Sequence, residues 1–179
     1  MKTIVINLFG EPSAGKSTAA MDITARLKRK GINAEYVSEF AKDKVYENNS
    51  EVFKHQEYIF GKQSFKMGRT RDKVQVMVVD SPLILNIIYN NDPTLGEAFN
   101  KTVQKVFHSY ENRNYLLIRK HAYENEGRFQ NEREASEVKD HLVEKLRKLN
   151  IQYDFTTSDE EDCEKIANMI AKEIKENEQ

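Results

Sequence analysis

What this sequence has little of excludes several classes of protein before any motif is sought. A single cysteine, Cys163, stands in 179 residues, so no internal disulfide can form. The four histidines, His55, His108, His121 and His141, show no zinc-site spacing with it. Both features suit a reducing, cytoplasmic setting. Three prolines and seven glycines leave little material for a flexible linker, and the chain carries no internal repeat or low-complexity tract. No run approaches the ~20 apolar residues needed to span a bilayer. The apolar stretch from Ile4 to Phe9 is too short for a secretory signal, so neither membrane insertion nor export is expected. An excess of one charge is missing too: 28 Lys and Arg against 29 Asp and Glu leave −1, and so no broad field to attract polyanions.

What is present is charge in quantity and apolar residues in pattern. Apolar residues make up 39% of the chain and charged ones 32%, against roughly 45–50% and 25% in an average domain. The expectation is a heavily charged surface around one core. A chain of this length buries about 70% of its unfolded surface, which suffices for a single domain over residues 1–179.

The apolar period alternates along the chain. Thr3 to Phe9 reads as a buried strand, and Ala19, Ala20, Ile23 and Leu27 form the stripe of a helix from Gly15 to Lys30. A second strand is expected over Asn33 to Ser38, then a long helix from a Ser50 cap to about Asp72. Gln75 to Val79 is a strand ending at Asp80-Ser81-Pro82, with a short helix from Pro82 and another through Phe99 to Tyr110. Tyr115 to Ile118 and Ile151 to Phe155 complete five strands. Helices over Glu132 to Leu149 and after Ser158, capped with Glu161, fill the rest. Strands alternating with helices call for a three-layer α/β fold, a parallel sheet with helices on both faces. Ligands on such sheets bind beyond the carboxyl ends of the strands.

Gly10-Glu11-Pro12-Ser13-Ala14-Gly15-Lys16-Ser17 fits G-x-x-x-x-G-K-[ST] directly after a strand and before a helix. Glycines let the backbone wrap a phosphate, and the loop amides with the helix N-terminus supply partial positive charge. Gly10, Ser13, Ala14, Gly15, Lys16, Ser17 and Thr18 are thus the candidate ATP cradle, with Lys16 reaching the β- and γ-phosphates and Ser17 ligating Mg2+. Asp80, at the tip of a hydrophobic strand, is placed to hold Mg2+ or accept a proton, or else to cap the helix at Pro82. Glu39 follows the second strand, where an acceptor hydroxyl would face the γ-phosphate. It is a candidate base or hydroxyl anchor, or a helix-start glutamate favoured by the dipole. Arg119, Lys120, Arg128 and Arg133 border a polar loop after the fourth strand, which is placed to act as a lid over residues 119–133. Lys62, Lys66, Arg69, Arg71 and Lys73, interleaved with Phe60 and Phe65, suit a nucleic-acid surface or a solvated helix face. A middle reading assigns Gln56, Phe60 and Arg69 to an acceptor pocket.

With these residues in place the chain resembles the AAA-type ATP-binding proteins of bacteriophages, a group similar to the ribosylnicotinamide kinase domain and to nucleoside and nucleotide kinases. The likeness rests on the phosphate loop, Glu39-Phe40-Ala41-Lys42, Gln56 through Phe60 to Lys62-Gln63, and Asp80-Ser81-Pro82. It continues through a lid from Arg119 and Tyr123 to Gly127-Arg128-Phe129-Gln130, in which Ala122 stands where proline is expected. The resemblance implies a P-loop fold with strand order 2-3-1-4-5 and MgATP as phosphoryl donor. It implies a small nucleoside or nucleotide acceptor bound by Glu39, Phe40 and Gln56, and, for a phage-encoded chain, residence in the host cytoplasm. The catalytic set is then Lys16, Glu39, Asp80, Arg119 and Arg128. The rival expectations are a nucleotide-driven NTPase switch and a kinase acting on modified nucleic acid.

Overall fold

The computed structural model describes residues 2–47, 50–120 and 132–177. Five parallel strands form one sheet: β1 (Ile4–Phe9), β2 (Ala34–Val37), β3 (Val76–Val79), β4 (Glu111–Leu117) and β5 (Asp154–Thr156). Their order is β2-β3-β1-β4-β5, the order expected, with β1 central between β3 and β4. Among the described residues seven helices accompany it: α1 (Lys16–Arg29), α2 (Phe40–Tyr46), α3 (Gln56–Gly68), α4 (Leu85–Ile88), α5 (Gly96–Phe107), α6 (Glu132–Lys148) and α7 (Glu160–Asn177).

The alternation of β1 sorts the core into two halves, because successive side chains leave a strand on opposite faces. Ile4, Ile6 and Leu8 meet Ala20, Ile23 and Leu27 of α1 and Ile166, Ile170 and Ile174 of α7. Val5 and Phe9 meet Met67 of α3, Val103 and Phe107 of α5, and Leu142 and Leu146 of α6 on the other face. All six residues of β1 are buried, as befits a strand covered on both sides.

Several boundaries differ from the sequence expectation. The single helix expected from Ser50 is broken at His55, whose φ of −109° and ψ of 73° leave the helical region. A 3-10 turn over Ser50–Lys54 precedes the break. β4 begins at Glu111, four residues early, because the polar Glu111–Asn114 segment pairs with Ile4–Asn7 and is held there by Asn7. The Asn7 amide donates to Asn112 and Asn114 at 2.8 and 3.0 Å. β5 lies at Asp154–Thr156 instead of 151–155, since Ile151 ends the turn after α6 by donating to Leu146 O. The start of α7 is organised by Thr157, whose hydroxyl accepts from Asp159 N–H and donates to Asp162 at 2.6 Å, one residue before the expected Ser158. Among the described residues no helix is long and apolar enough to cross a membrane.

Candidate active site

The turn from β1 into α1 uses backbone conformations that side chains resist. Gly15, just before α1, has φ of 84° and ψ of 17°, and Ser13 also enters the left-handed region at φ 62°. A Cβ on Gly15 would lie 2.5 Å from Ser158 Oγ and 2.6 Å from Ser158 Cβ, so the loop after β5 leaves room there for hydrogen only. Ala14 N–H donates to Glu11 O at 3.2 Å and closes the turn. The Lys16 ammonium donates to the carbonyl oxygens of Gly10 and Glu11, both at 2.9 Å, which holds it over the loop. α1 opens with no side-chain cap and no acidic residue in its first turn. Its positive end is therefore left for an anion. Ala14 is buried in the loop, while Thr18 is exposed in the first helical turn.

Asp80, 2% exposed, sits at the tip of β3 beside this loop. Ser17 Oγ donates to its Oδ2 at 2.8 Å, and the Tyr36 hydroxyl donates to the same oxygen at 2.6 Å. Asp80 Oδ1 is buried with no donor. A buried carboxylate oxygen left without a partner costs free energy unless something positive reaches it. A serine hydroxyl and one carboxylate are the hard oxygen donors that Mg2+ takes alongside phosphate oxygens, so the residues present fit that ion. The helix expected from Pro82 starts later, at Leu85, and the Asp80 carboxylate turns to Ser17 and Tyr36 instead of capping it. Burial, then the Asp80 and Glu39 charges, push the Tyr36 phenol well above its ordinary range, so it remains a proton donor.

Glu39 lies two residues past the end of β2 and immediately precedes α2, so it stands at a helix start as well as at a strand tip. Tyr89 is 37% exposed as a whole, but local desolvation of its hydroxyl pushes the phenol upward, with the Glu39 charge adding to it. The segment is held from α3, where the buried Gln63 accepts the Phe40 N–H at 3.2 Å. Phe40 packs edge-on to Tyr58 at 5.6 Å. Gln56, on the same buried face of α3 as Gln63, turns its amide back to Phe53 O at 3.0 Å. Phe60 packs edge-on to Phe99 at 5.9 Å and so bridges α3 and α5. Arg69 is not brought to this group: it stands exposed past the end of α3 with its guanidinium 5.8 Å from the Phe65 ring. Helical spacing puts Phe65 and Arg69 opposite the buried Gln63 and Met67.

The arginine loop is described only at its base. Arg119 leaves β4 and its Nε lies 3.6 Å from Oε1 of Glu11, a carboxylate buried inside the phosphate loop. Lys120 pairs with Asp159 at 2.6 Å, tying the loop base to the start of α7. Arg128, most of the expected 119–133 lid and the Arg133 side chain lie outside the described residues. Four residues of this region act in ways that the motifs did not assign: Glu11, Tyr36, Gln63 and Ser158. Glu11 stood at an unspecified position of the phosphate loop, Gln63 in the family-like pattern and Ser158 in the expected helix cap, while Tyr36 stood in no motif; all four act across the fold.

The loop, Ser17 with Asp80, and the parallel sheet of this order define a P-loop nucleotide-binding protein with a kinase-like fold. A family model described as AAA domain matches residues 5–162, and the chain belongs to that family. No curated protein matches its sequence. Among solved structures it is similar to deoxyadenosine kinase from M. mycoides with the products dCMP and a flexible dCDP bound, at TM-score 0.53 and 15% identity, covering 96% of this chain and 99% of that one. The same enzyme with bound dATP gives a TM-score of 0.52 and 19% identity over 96% of this chain and 99% of that one. At such identities the likeness is one of fold.

Proposed function

We propose that this protein is an ATP-dependent kinase that transfers the γ-phosphoryl group of MgATP to a small nucleoside, nucleotide or related acceptor. The observation that carries the reading is the Ser17–Asp80 contact at 2.8 Å beside the glycine loop, with the second Asp80 oxygen buried and undonated. The loop amides and Lys16 hold the phosphates, while Ser17 and Asp80 hold Mg2+. Bound there, the ion would draw charge from the phosphate oxygens. Glu39, one strand away and within electrostatic reach of Tyr36, orients or deprotonates the acceptor hydroxyl. Phe40 and Gln56 belong to the acceptor side. Arg119, with Arg128 and Arg133 beyond the described residues, supplies positive charge to the transferring group. The deoxyadenosine kinase likeness supports an acceptor of nucleoside type.

A small acceptor is favoured over nucleic acid because four of the five cations of the basic segment engage protein groups, Arg69 through the exposed Phe65 ring, while Lys73 stands exposed. Lys66 donates to Ser38, Lys62 lies over Tyr58, and Arg71 donates to Ser109 and lies 4.5 Å from the Tyr110 ring centre. The test is a screen of nucleosides, nucleoside monophosphates and ribosylnicotinamide for acceptor-dependent ADP release from MgATP. Release that no acceptor accelerates would replace this reading with a hydrolytic switch.

A further inference from the structure

The geometry points to Tyr36 as a positioning residue of the metal site: its hydroxyl fixes which way the Asp80 carboxylate presents its undonated oxygen to the divalent cation. The inference rests on the MgATP reading above and adds a residue that neither the phosphate-loop motif nor the strand-tip aspartate implies.

The placement follows from register. Tyr36 lies opposite Val78 in the parallel pairing of β2 with β3. Asp80 stands two residues beyond Val78, about 6.6 Å further along the strand direction. The two-residue alternation sends Tyr36, Val78 and Asp80 to the same face, the one covered by α1, where Ala34 and Val78 are buried and the Tyr36 ring packs. A phenol is long enough to bridge that step, and its hydroxyl arrives 2.6 Å from Oδ2. Ser17, coming down from α1, meets the same oxygen at 2.8 Å.

Two hydroxyls of different elements thus converge on Oδ2 and none on Oδ1. Ser17 alone would hold the carboxylate by one contact, about which its plane could turn. The second donor, on a different strand, fixes the plane. Hydrogen bonds to an ionised acceptor are the strong ones, so loss of one should loosen the site measurably. The phosphate cradle is made by loop amides and Lys16, whereas the Tyr36 hydroxyl donates to Asp80. Metal-dependent and metal-free nucleotide binding should therefore separate.

The test titrates a fluorescent ATP analogue into the full chain, once in EDTA and once across a Mg2+ series. Tyr36→Phe keeps the ring that packs on the core and removes only the donor, and a thermal midpoint checks that the fold is kept. The expected result is a Mg2+ midpoint raised about tenfold, with affinity in EDTA within about twofold of the unaltered protein. In an Asp80→Asn background the same change should move the Mg2+ midpoint less than about twofold, because the oriented carboxylate is already gone. A Tyr36→Phe midpoint equal to that of the unaltered protein would overturn the assignment. So would equal weakening with and without Mg2+, or full additivity with Asp80→Asn. An unaltered protein that binds no nucleotide under either condition would overturn the MgATP reading itself, a separable failure.

Discussion

The two halves of the candidate site are built by different means. The phosphate corner is largely local: eight consecutive residues supply the loop, the lysine and the serine, and Asp80, Tyr36, Arg119 and Ser158 reach it from other elements. The acceptor corner is assembled at a distance. Glu39 hangs from the end of β2, its segment is held by Gln63 of α3, and its charge is felt by Tyr36 of β2 and by Tyr89 beyond α4. The phosphate corner is also braced along the whole of α1. Ser158 covers Gly15 at one end, and Arg26 and Lys30 clasp Glu164 of α7 at the other, each at 2.5 to 2.8 Å. A corner fixed by backbone shape suits the part of a reaction that is common to all acceptors. A corner fixed by packing can change with the acceptor.

The comparison is broken most severely at Lys16. Lys16→Ala should cut acceptor-dependent turnover by at least about 10³-fold, in the range of losing an oriented charge at a transferring phosphoryl group. The thermal midpoint should stay close to that of the unaltered chain, and steady-state ADP release measures the effect; near-normal turnover would remove the phosphate corner from the chemistry. The acceptor corner is probed by Glu39→Gln, which keeps shape and removes charge. Its expected cost is about 10²-fold or more in kcat if the carboxylate takes the acceptor proton. The KM for ATP should barely change, because the two corners bind different molecules. A raised KM for ATP with unchanged kcat would assign Glu39 to the nucleotide side.

The same contrast explains what was legible in the sequence. The alternation of strands and helices and the phosphate loop follow from short-range patterns: a β-branched run, glycines at fixed offsets, then a helical stripe; the strand order was implied only by the family resemblance. The acceptor corner was legible only as Glu39 and the α3 residues of the family-like pattern. Tyr36 looked like an ordinary strand residue, since its role depends on a register with β3 that no local window contains. Glu11 looked like a variable loop position until Arg119 reached it from β4. The break at His55 was hidden because the apolar spacing continues through it, from Val52 and Phe53 to Ile59. Arg69 shared a basic helical segment with residues near the site but fell on the outer face.

A sharper comparison comes from Gly15, where the phosphate corner meets the loop after β5. Gly15→Ala places a methyl group against Ser158 and forces a side chain into the left-handed region, at a combined cost of about 2–4 kcal/mol. Nucleotide affinity should fall with it. Ser158→Gly in the same chain removes both atoms of the close contact and should restore roughly half of the lost stability, leaving the backbone strain. Denaturant unfolding of the single and double variants measures this. A double variant no more stable than Gly15→Ala would show that the strain is all in the backbone.

The smallest effect concerns the brace at the far end of α1. Lys30 first, then Arg26, holds the Glu164 carboxyl down at about 2, against 4.5 in the unfolded chain. A carboxyl whose folded pKa is depressed contributes stability above its unfolded value and loses that contribution as pH falls through its folded value. The clasp should therefore weaken between about pH 4.5 and pH 2, and nowhere in the neutral range. Glu164 is solvent-facing, so the contribution is screened and a thermal midpoint shift of only about 1–3 °C is expected. Glu164→Gln should remove it, lowering the midpoint at pH 6 by that amount while leaving the variant and the unaltered chain alike near pH 2. Because the clasp holds the end of α1 opposite the phosphate loop, nucleotide affinity in the variant should be unchanged at neutral pH. A parallel loss of affinity would mean that the tilt of α1, and not the loop alone, sets the phosphate corner.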